Sequence, residues 1–317
     1  MKRYRLKKHI KLLICLLLSY TLFIVCVHTY YNKDDKTKKE GIAHQIKPGE
    51  KGSIEVLAIG NSDLYSGFHP LQLWHEKGIP SYAAGMSMQN MCVTYYMLEE
   101  IFKYQKPKVL MLELDNFFET RGEDNEKEAR QAAIQNCFPL FKYTDFWDKI
   151  KDEPYIQNLK GTNRFLLRGY YYKTEIKGNK DGFGYMKPSH QKQADVKYTK
   201  KYFPKIMQLA KENDCQVIFF CCPSRTSWSY PKHNTVKKYA DKYHVPFLDM
   251  NMNDYGTGFD WMTDTRDEGN HLNHNGAIKV TRFLGQYLHD HYKLKDYRGN
   301  QNFDDWEEDC QRFNALL

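Results

Sequence analysis

Between residues 54 and 292 short apolar runs alternate with stretches of helical periodicity, and this alternation limits the fold more than any other feature of the chain. The runs are Ile54–Ile59, Tyr82–Ala84, Val109–Leu114, Gln216–Cys222 and Val245–Asp249. They are mostly apolar rather than apolar at every second position, so each is expected to be a strand covered on both faces. Helices are expected at Pro70–Lys77, which opens with proline and stops before Gly78, and at Gln89–Tyr104, Asp195–Glu212, Thr235–Tyr243 and Gly276–Tyr292. Strands of this kind separated by helices predict an α/β fold with a parallel sheet between helical layers. Functional side chains in such sheets collect in the loops beyond the strands' C-terminal ends.

The front of the chain is different. Residues 1–11 form a basic tail with six Lys or Arg, and Leu12–Val27 carries no charged side chain. Together with His28–Tyr31 it gives an uncharged segment of about 20 residues, the length that crosses a bilayer as a helix. The flanking basic residues keep the tail in the cytoplasm. Val25, Cys26, Val27 and His28 provide no small-residue cleavage site, so residues 12–31 are expected to be an uncleaved, single-pass signal anchor. Residues 32–51 are polar and aperiodic and serve as a linker. The domain at 52–292 is thereby expected outside the cytoplasm, followed by a C-terminal extension at 293–317.

The formal charge of +8 belongs to this front end. Residues 1–11 and 33–51 hold six basic residues each, the second group with four acids, which leaves 35 basic and 35 acidic residues in 52–317. A neutral body has no general field for phosphate backbones, so nucleic acid is not an expected partner. Cysteine spacing shows no C-x-x-C pair and no zinc pattern. His271 and His274 form an H-x-x-H pair, but no third ligand stands at a telling spacing, and neither a metal nor a cofactor is expected. His274 is expected exposed on its loop.

Two local patterns carry chemistry. Gly60-Asn61-Ser62-Asp63 follows the first strand directly, which presents the Ser62 hydroxyl at a strand-to-helix turn with its own N–H able to hold an oxyanion. Near the other end, Asp267-Glu268-Gly269-Asn270-His271-Leu272-Asn273-His274-Asn275-Gly276-Ala277 places acids three and four residues before a histidine, just ahead of the last long helix. An acid there can bond one ring nitrogen and leave the other to accept a serine proton.

The two patterns together resemble the SGNH/GDSL hydrolase superfamily. More narrowly they are similar to its membrane-anchored extracytoplasmic branch, which includes the teichoic-acid D-alanylation protein DltD and the alginate O-acetylation proteins. The resemblance covers roughly residues 54–116 and 195–292. It implies a flavodoxin-like three-layer sandwich and ester hydrolysis or acyl transfer. By position it makes Ser62 the nucleophile and His271 the general base, and it assigns oxyanion donors to Gly85 and Asn116. The acid is open between two residues: the family's D-x-x-H spacing falls on Glu268, while Asp267 has the family's residue type and is favoured here. Asn61 stands where the family has Asp, and Asn116 is flanked by Leu114 and Phe117 rather than by the family's Gly and Asp.

Residues 117–194 match nothing in the resemblance and are expected to be a lid-like insertion. Their aromatics (RGYYY at 168–172, GFGYM at 182–186) either face sugar rings or fill a second small core. The expected function is a serine esterase or O-acyltransferase acting on cell-surface or secreted polysaccharide, with a membrane acyl-transfer partner implied by the resemblance. The alternative is a non-catalytic glycan-binding or scaffold protein that keeps the fold.

Overall fold

The structure, a computed structural model, describes residues 9–23, 54–119, 167–252, 256–315 and 317. Five parallel strands form its centre: β1 (Val56–Gly60), β2 (Ser81–Gly85), β3 (Val109–Glu113), β4 (Gln216–Cys221) and β5 (Phe247–Asp249), in the order β2-β1-β3-β4-β5. Each was legible as an apolar run. Successive side chains go to opposite faces: Leu57, Ile59, Leu110, Leu112 and Phe219 join one core, and Val56, Ala58, Val109, Met111 and Ile218 the other.

Helices α1 (Ser62–Gly67), α2 (Pro70–Lys77), α3 (Met91–Ile101), α4 (Lys197–Glu212), α5 (Tyr230–Tyr243) and α6 (His274–His291) surround the sheet. In α4 the buried residues Thr199, Tyr202, Phe203, Ile206 and Ala210 recur at the helical period. With Met97 and Leu98 of α3 and Val236 and Ala240 of α5 they cover one face of the sheet. In α6, Val280, Leu284 and Leu288 cover the other face with Leu64 and Leu73. The result is the three-layer α/β/α arrangement expected from the strand pattern.

Helix α5 begins at Tyr230, five residues earlier than the sequence reading placed it. Ser229 caps it, and Pro231 stands in its first turn, where a missing N–H costs nothing. The C-terminal extension also folds. Helix α7 (Asp304–Asn314) buries Trp306, Cys310 and Phe313, and Trp306 stacks on Trp74 of α2 with ring centroids 5.4 Å apart.

Residues 9–23 are helical and exposed along their length. Among the described residues no helix is long and apolar enough to cross a membrane. Residues 24–31 of the expected anchor, the linker and residues 120–166 of the expected insertion lie outside the described residues. The described end of that insertion corrects the sugar-ring expectation for two of its aromatics. Tyr170 is fully buried and Tyr172 nearly so, both in the main core, where the segment lies against β2 through the Ala83 N–H to Arg168 carbonyl bond of 2.9 Å and against Phe313 of α7. Arg168 fixes it there through Asp305 and Asp309, each 2.6 Å away.

Candidate active site

Ser62 is the first residue of α1, directly beyond β1. The turn is shaped by Asn61, whose Oδ1 accepts the Asp63 N–H at 3.0 Å and whose Nδ2 donates to Asp115 Oδ2 at 2.7 Å. Asp115 in turn accepts from Lys232 Nζ of α5 at 3.0 Å. An asparagine at this position therefore links the turn to the end of β3, which an aspartate facing Asp115 would not do without a shared proton.

His271 arrives from the far end of the chain on a small antiparallel hairpin, β6 (Thr265–Arg266) and β7 (His271–Leu272). Three consecutive residues with positive φ join its strands: Asp267 (51°), Glu268 (62°) and Gly269 (89°). Left-handed backbone costs a non-glycine residue about 1–2 kcal/mol, and Asp tolerates it better than Glu. The hairpin is held from several sides. Arg225 N–H donates to the Gly269 carbonyl at 2.8 Å, and Ser224 Oγ to the Asn270 carbonyl at 2.7 Å, both from the loop after β4. Arg266 Nη2 donates to Ser66 Oγ of α1 at 2.8 Å, and Asn273 caps α6 through the Gly276 N–H at 3.2 Å.

These ties bring the two distant patterns together. His271 Nε2 lies 2.9 Å from Ser62 Oγ, and its Nδ1 lies 2.7 Å from Asp267 Oδ2. Glu268, the other acid, extends away from the ring and pairs with Lys177 at 2.9 Å. The left-handed turn separates the two: it folds Asp267 back onto His271 and sends Glu268 outward.

The electrostatics follow this placement. Burial presses the His271 imidazole toward its neutral form, but the Asp267 hydrogen bond and the negative charges of Asp63 and Asp267 more than reverse this, and its pKa is raised. Burial raises the Asp267 carboxyl, yet its bonds to His271 prevail and its pKa is lowered. A serine hydroxyl, a basic imidazole and an ionised carboxylate in line can make the hydroxyl oxygen nucleophilic as its proton passes to the ring.

The other predicted positions divide. Gly85 ends β2 opposite Gly60, and a Cβ there would sit 2.9 Å from the Asn61 carbonyl oxygen, so only glycine lets β2 approach the serine turn this closely. Asn116 is buried with its amide nitrogen 3.3 Å from Thr94 Oγ1 of α3, a contact inside the protein. His274 is not exposed as the sequence reading expected. It packs against Tyr172 and Phe313, its Nδ1 is 3.2 Å from Tyr170 OH, and burial lowers its pKa to about 4. His69 is buried and stacked on Tyr170 with centroids 4.2 Å apart. Among the described residues no group of three or more His, Cys, Asp or Glu is placed to hold a metal ion.

Two residues near the serine have no role assigned from the sequence: Asp63, buried beside it, and Lys232, which reaches Asp115 from α5. An acid in the first turn of a helix and a lysine on a surface helix are ordinary patterns, so neither carried a signal.

No family model and no curated protein matches the chain. Solved structures are similar to it at low identity. A protein assigned as an acylhydrolase from Bacteroides fragilis is 14% identical, with a TM-score of 0.39 over 78% of this chain and 94% of that one. A GDSL-like lipase from Bacteroides thetaiotaomicron is 13% identical, with a TM-score of 0.36 over 83% and 97%. The psychrotrophic esterase EstA from Pseudoalteromonas sp. is 9% identical, with a TM-score of 0.39 over 74% and 97%. What the chain does is therefore read from its own side chains.

Proposed function

We propose that this protein is a serine esterase or O-acyltransferase of the SGNH type, anchored by residues 12–31 with its domain outside the cytoplasm. The observation that carries the reading is the 2.9 Å approach of Ser62 Oγ to His271 Nε2, with Asp267 on the far ring nitrogen. Ser62 Oγ attacks an ester or thioester carbonyl while its proton moves to Nε2. Asp267 keeps Nδ1 protonated and offsets the charge of the imidazolium. The N–H groups of Ser62 and Gly85 are assigned to the developing oxyanion. Collapse of the tetrahedral species expels the alcohol or thiol, which takes the proton from Nε2 and leaves an acyl-serine. Water or a glycan hydroxyl, deprotonated by His271, then accepts the acyl group. A membrane anchor suits an immobile acceptor, and a cell-surface or secreted polysaccharide, served by a membrane acyl-transfer partner, fits that requirement.

A fluorophosphonate probe tests the chemistry on the full chain. Labelling of the wild type and none of Ser62→Ala supports it, whereas an unlabelled wild type defeats it. The departures from the family pattern around Asn61 and Asn116 favour a second reading: a fold retained for glycan binding without catalysis. Polysaccharide binding by a chain that never labels would establish that reading.

A further inference from the structure

A group of carboxylates lies beneath the serine turn, and the Ser62–His271–Asp267 reading does not use it. Asp63 immediately follows Ser62 and is 2% exposed. Its backbone N–H is bound by Asn61; its carboxylate oxygens have no partner of good hydrogen-bond geometry among the described residues, although the Ser227 hydroxyl is near enough to lower its pKa. Glu113, the last residue of β3, is 1% exposed and lies directly under the turn, since a Cβ on Gly60 would meet the Glu113 Cβ at 2.6 Å. Its Oε1 accepts the Asp115 N–H at 3.3 Å, while its Oε2 has no partner among the described residues. A buried carboxyl without hydrogen bonds is costly in its charged form, and a surface-type acid would be the natural choice for a first helical turn if packing were its only purpose.

We propose that Asp63 is a positioning residue for the reaction assigned above: a second carboxylate that acts on the His271 imidazole through its field, where Asp267 acts by contact. The inference rests on that reading. The charged and titratable groups facing Asp63 are His271 from the hairpin, Glu113 and Asp115 from the end of β3, Lys232 from α5, and Tyr185 and Cys222. Burial pushes Asp63 up to about 7, against the pull of His271 and Lys232. Burial, with Asp63 and Asp115 beside it, holds Glu113 well above the usual carboxylate range. The Asp63 charge is in turn one cause of the raised His271 pKa, after the Asp267 hydrogen bond. The imidazolium formed as Ser62 attacks meets one carboxylate at Nδ1 and a second in a buried, poorly screened position. Asp63 is the acid next to the nucleophile, and Asn61 fixes its backbone by accepting the Asp63 N–H at 3.0 Å.

The test compares wild type and Asp63→Asn, as full chains, by the pH dependence of the rate of fluorophosphonate labelling. Loss of the Asp63 charge removes a cause of the raised His271 pKa, so the acid limb of the variant is expected at lower pH, with a lower plateau. A limb that stays in place while only the plateau falls overturns the proposal, because a purely structural role changes amplitude alone. If Asp63→Asn does not fold, the 15N shifts of His271 in Ser62→Ala decide instead. Two inflections, one from the ring and one from Asp63 near neutral pH, support the proposal, and a single inflection overturns it. Absence of labelling in the wild type is a separate outcome: it overturns the serine reading and this inference with it. Labelling with an unmoved limb overturns the role of Asp63 alone.

Discussion

Asp267 grips His271 twice. Its Oδ2 lies 2.7 Å from the ring Nδ1, and its Oδ1 accepts the backbone N–H of the same histidine at 2.8 Å. Both oxygens are therefore committed to one residue, which fixes the tautomer that leaves Nε2 free to accept a proton, and also the ring's direction toward Ser62. The left-handed backbone at Asp267 and Glu268 is what makes this double contact possible over so short a loop.

Asp267→Asn and Glu268→Gln should therefore behave oppositely. The amide at 267 retains the shape but disfavours the required tautomer, and the labelling or esterase rate should fall by about 10²–10⁴-fold. Glu268 pairs with Lys177 in solvent, so Glu268→Gln should change the rate by less than about twofold. Rates of the two variants side by side check this. Equal losses would mean that the acid has been misassigned.

Acid should weaken the fold partly through His69 and His274. Burial lowers both, His274 to about 4 and His69 well below the ordinary imidazole value of 6.5, with the neighbouring His274 adding to the effect on His69. Below pH 6.5 the unfolded chain binds protons that the folded chain does not. The stability these residues contribute is complete above 6.5 and is lost as pH falls toward the folded values. His271, Asp63 and Glu113 have raised values and act in the opposite sense, so the test is a difference. His274→Gln should lose less stability than wild type between pH 7 and pH 5, by on the order of 1–3 kcal/mol in urea unfolding. An identical loss in both proteins would refute the assignment.

Much of this architecture could be read from the chain because its strands are apolar on both faces, a pattern that solvent-facing segments do not produce. Gly60-Asn61-Ser62 and the His271 loop were visible as motifs, but nothing in one sequence states that residues 62 and 271 touch. That contact depends on β1 and the hairpin meeting at one edge of the sheet, through Arg266 and Ser66 among others. The choice between Asp267 and Glu268 was set by φ angles, which side-chain type predicts weakly. Asp63 was invisible for another reason: burial, rather than identity, makes it unusual. In α7 the apolar residues Trp306, Cys310 and Phe313 do keep helical spacing, but the surrounding acids Asp304, Asp305, Glu307, Glu308 and Asp309 mask the pattern.

Gly85→Ala should damage the site more than the fold. The added Cβ would stand 2.9 Å from the Asn61 carbonyl oxygen and 3.3 Å from that of Gly60. Both contacts are with backbone, so relief requires the serine turn to move, and overpacking of this kind costs about 1–3 kcal/mol. Because a displacement of about 1 Å at the nucleophile can cost 10²-fold in rate, a folded Gly85→Ala protein is expected to label far more slowly than wild type. Normal labelling by this variant would show that β2 has slack the close packing does not indicate.

Trp306→Ala should separate stability from chemistry in the other direction. Trp306 is 3% exposed, stacks on Trp74, and carries the Arg168 guanidinium 4.4 Å above its ring. Arg168 also binds Asp305 and Asp309, so it ties α7 to the segment leading to Tyr170, while Trp306 ties α7 to α2 through Trp74. Truncating a buried tryptophan costs about 3–5 kcal/mol, and the cation–π contact is lost with it. The variant should unfold at clearly lower urea while the folded fraction labels at a rate within about twofold of wild type, since the hydrogen bonds that set Ser62, His271 and Asp267 run among these three residues. A loss below about 1 kcal/mol would mean that α7 contributes little to the fold. A large fall in labelling rate with unchanged stability would mean that it reaches the site by a route these contacts do not contain.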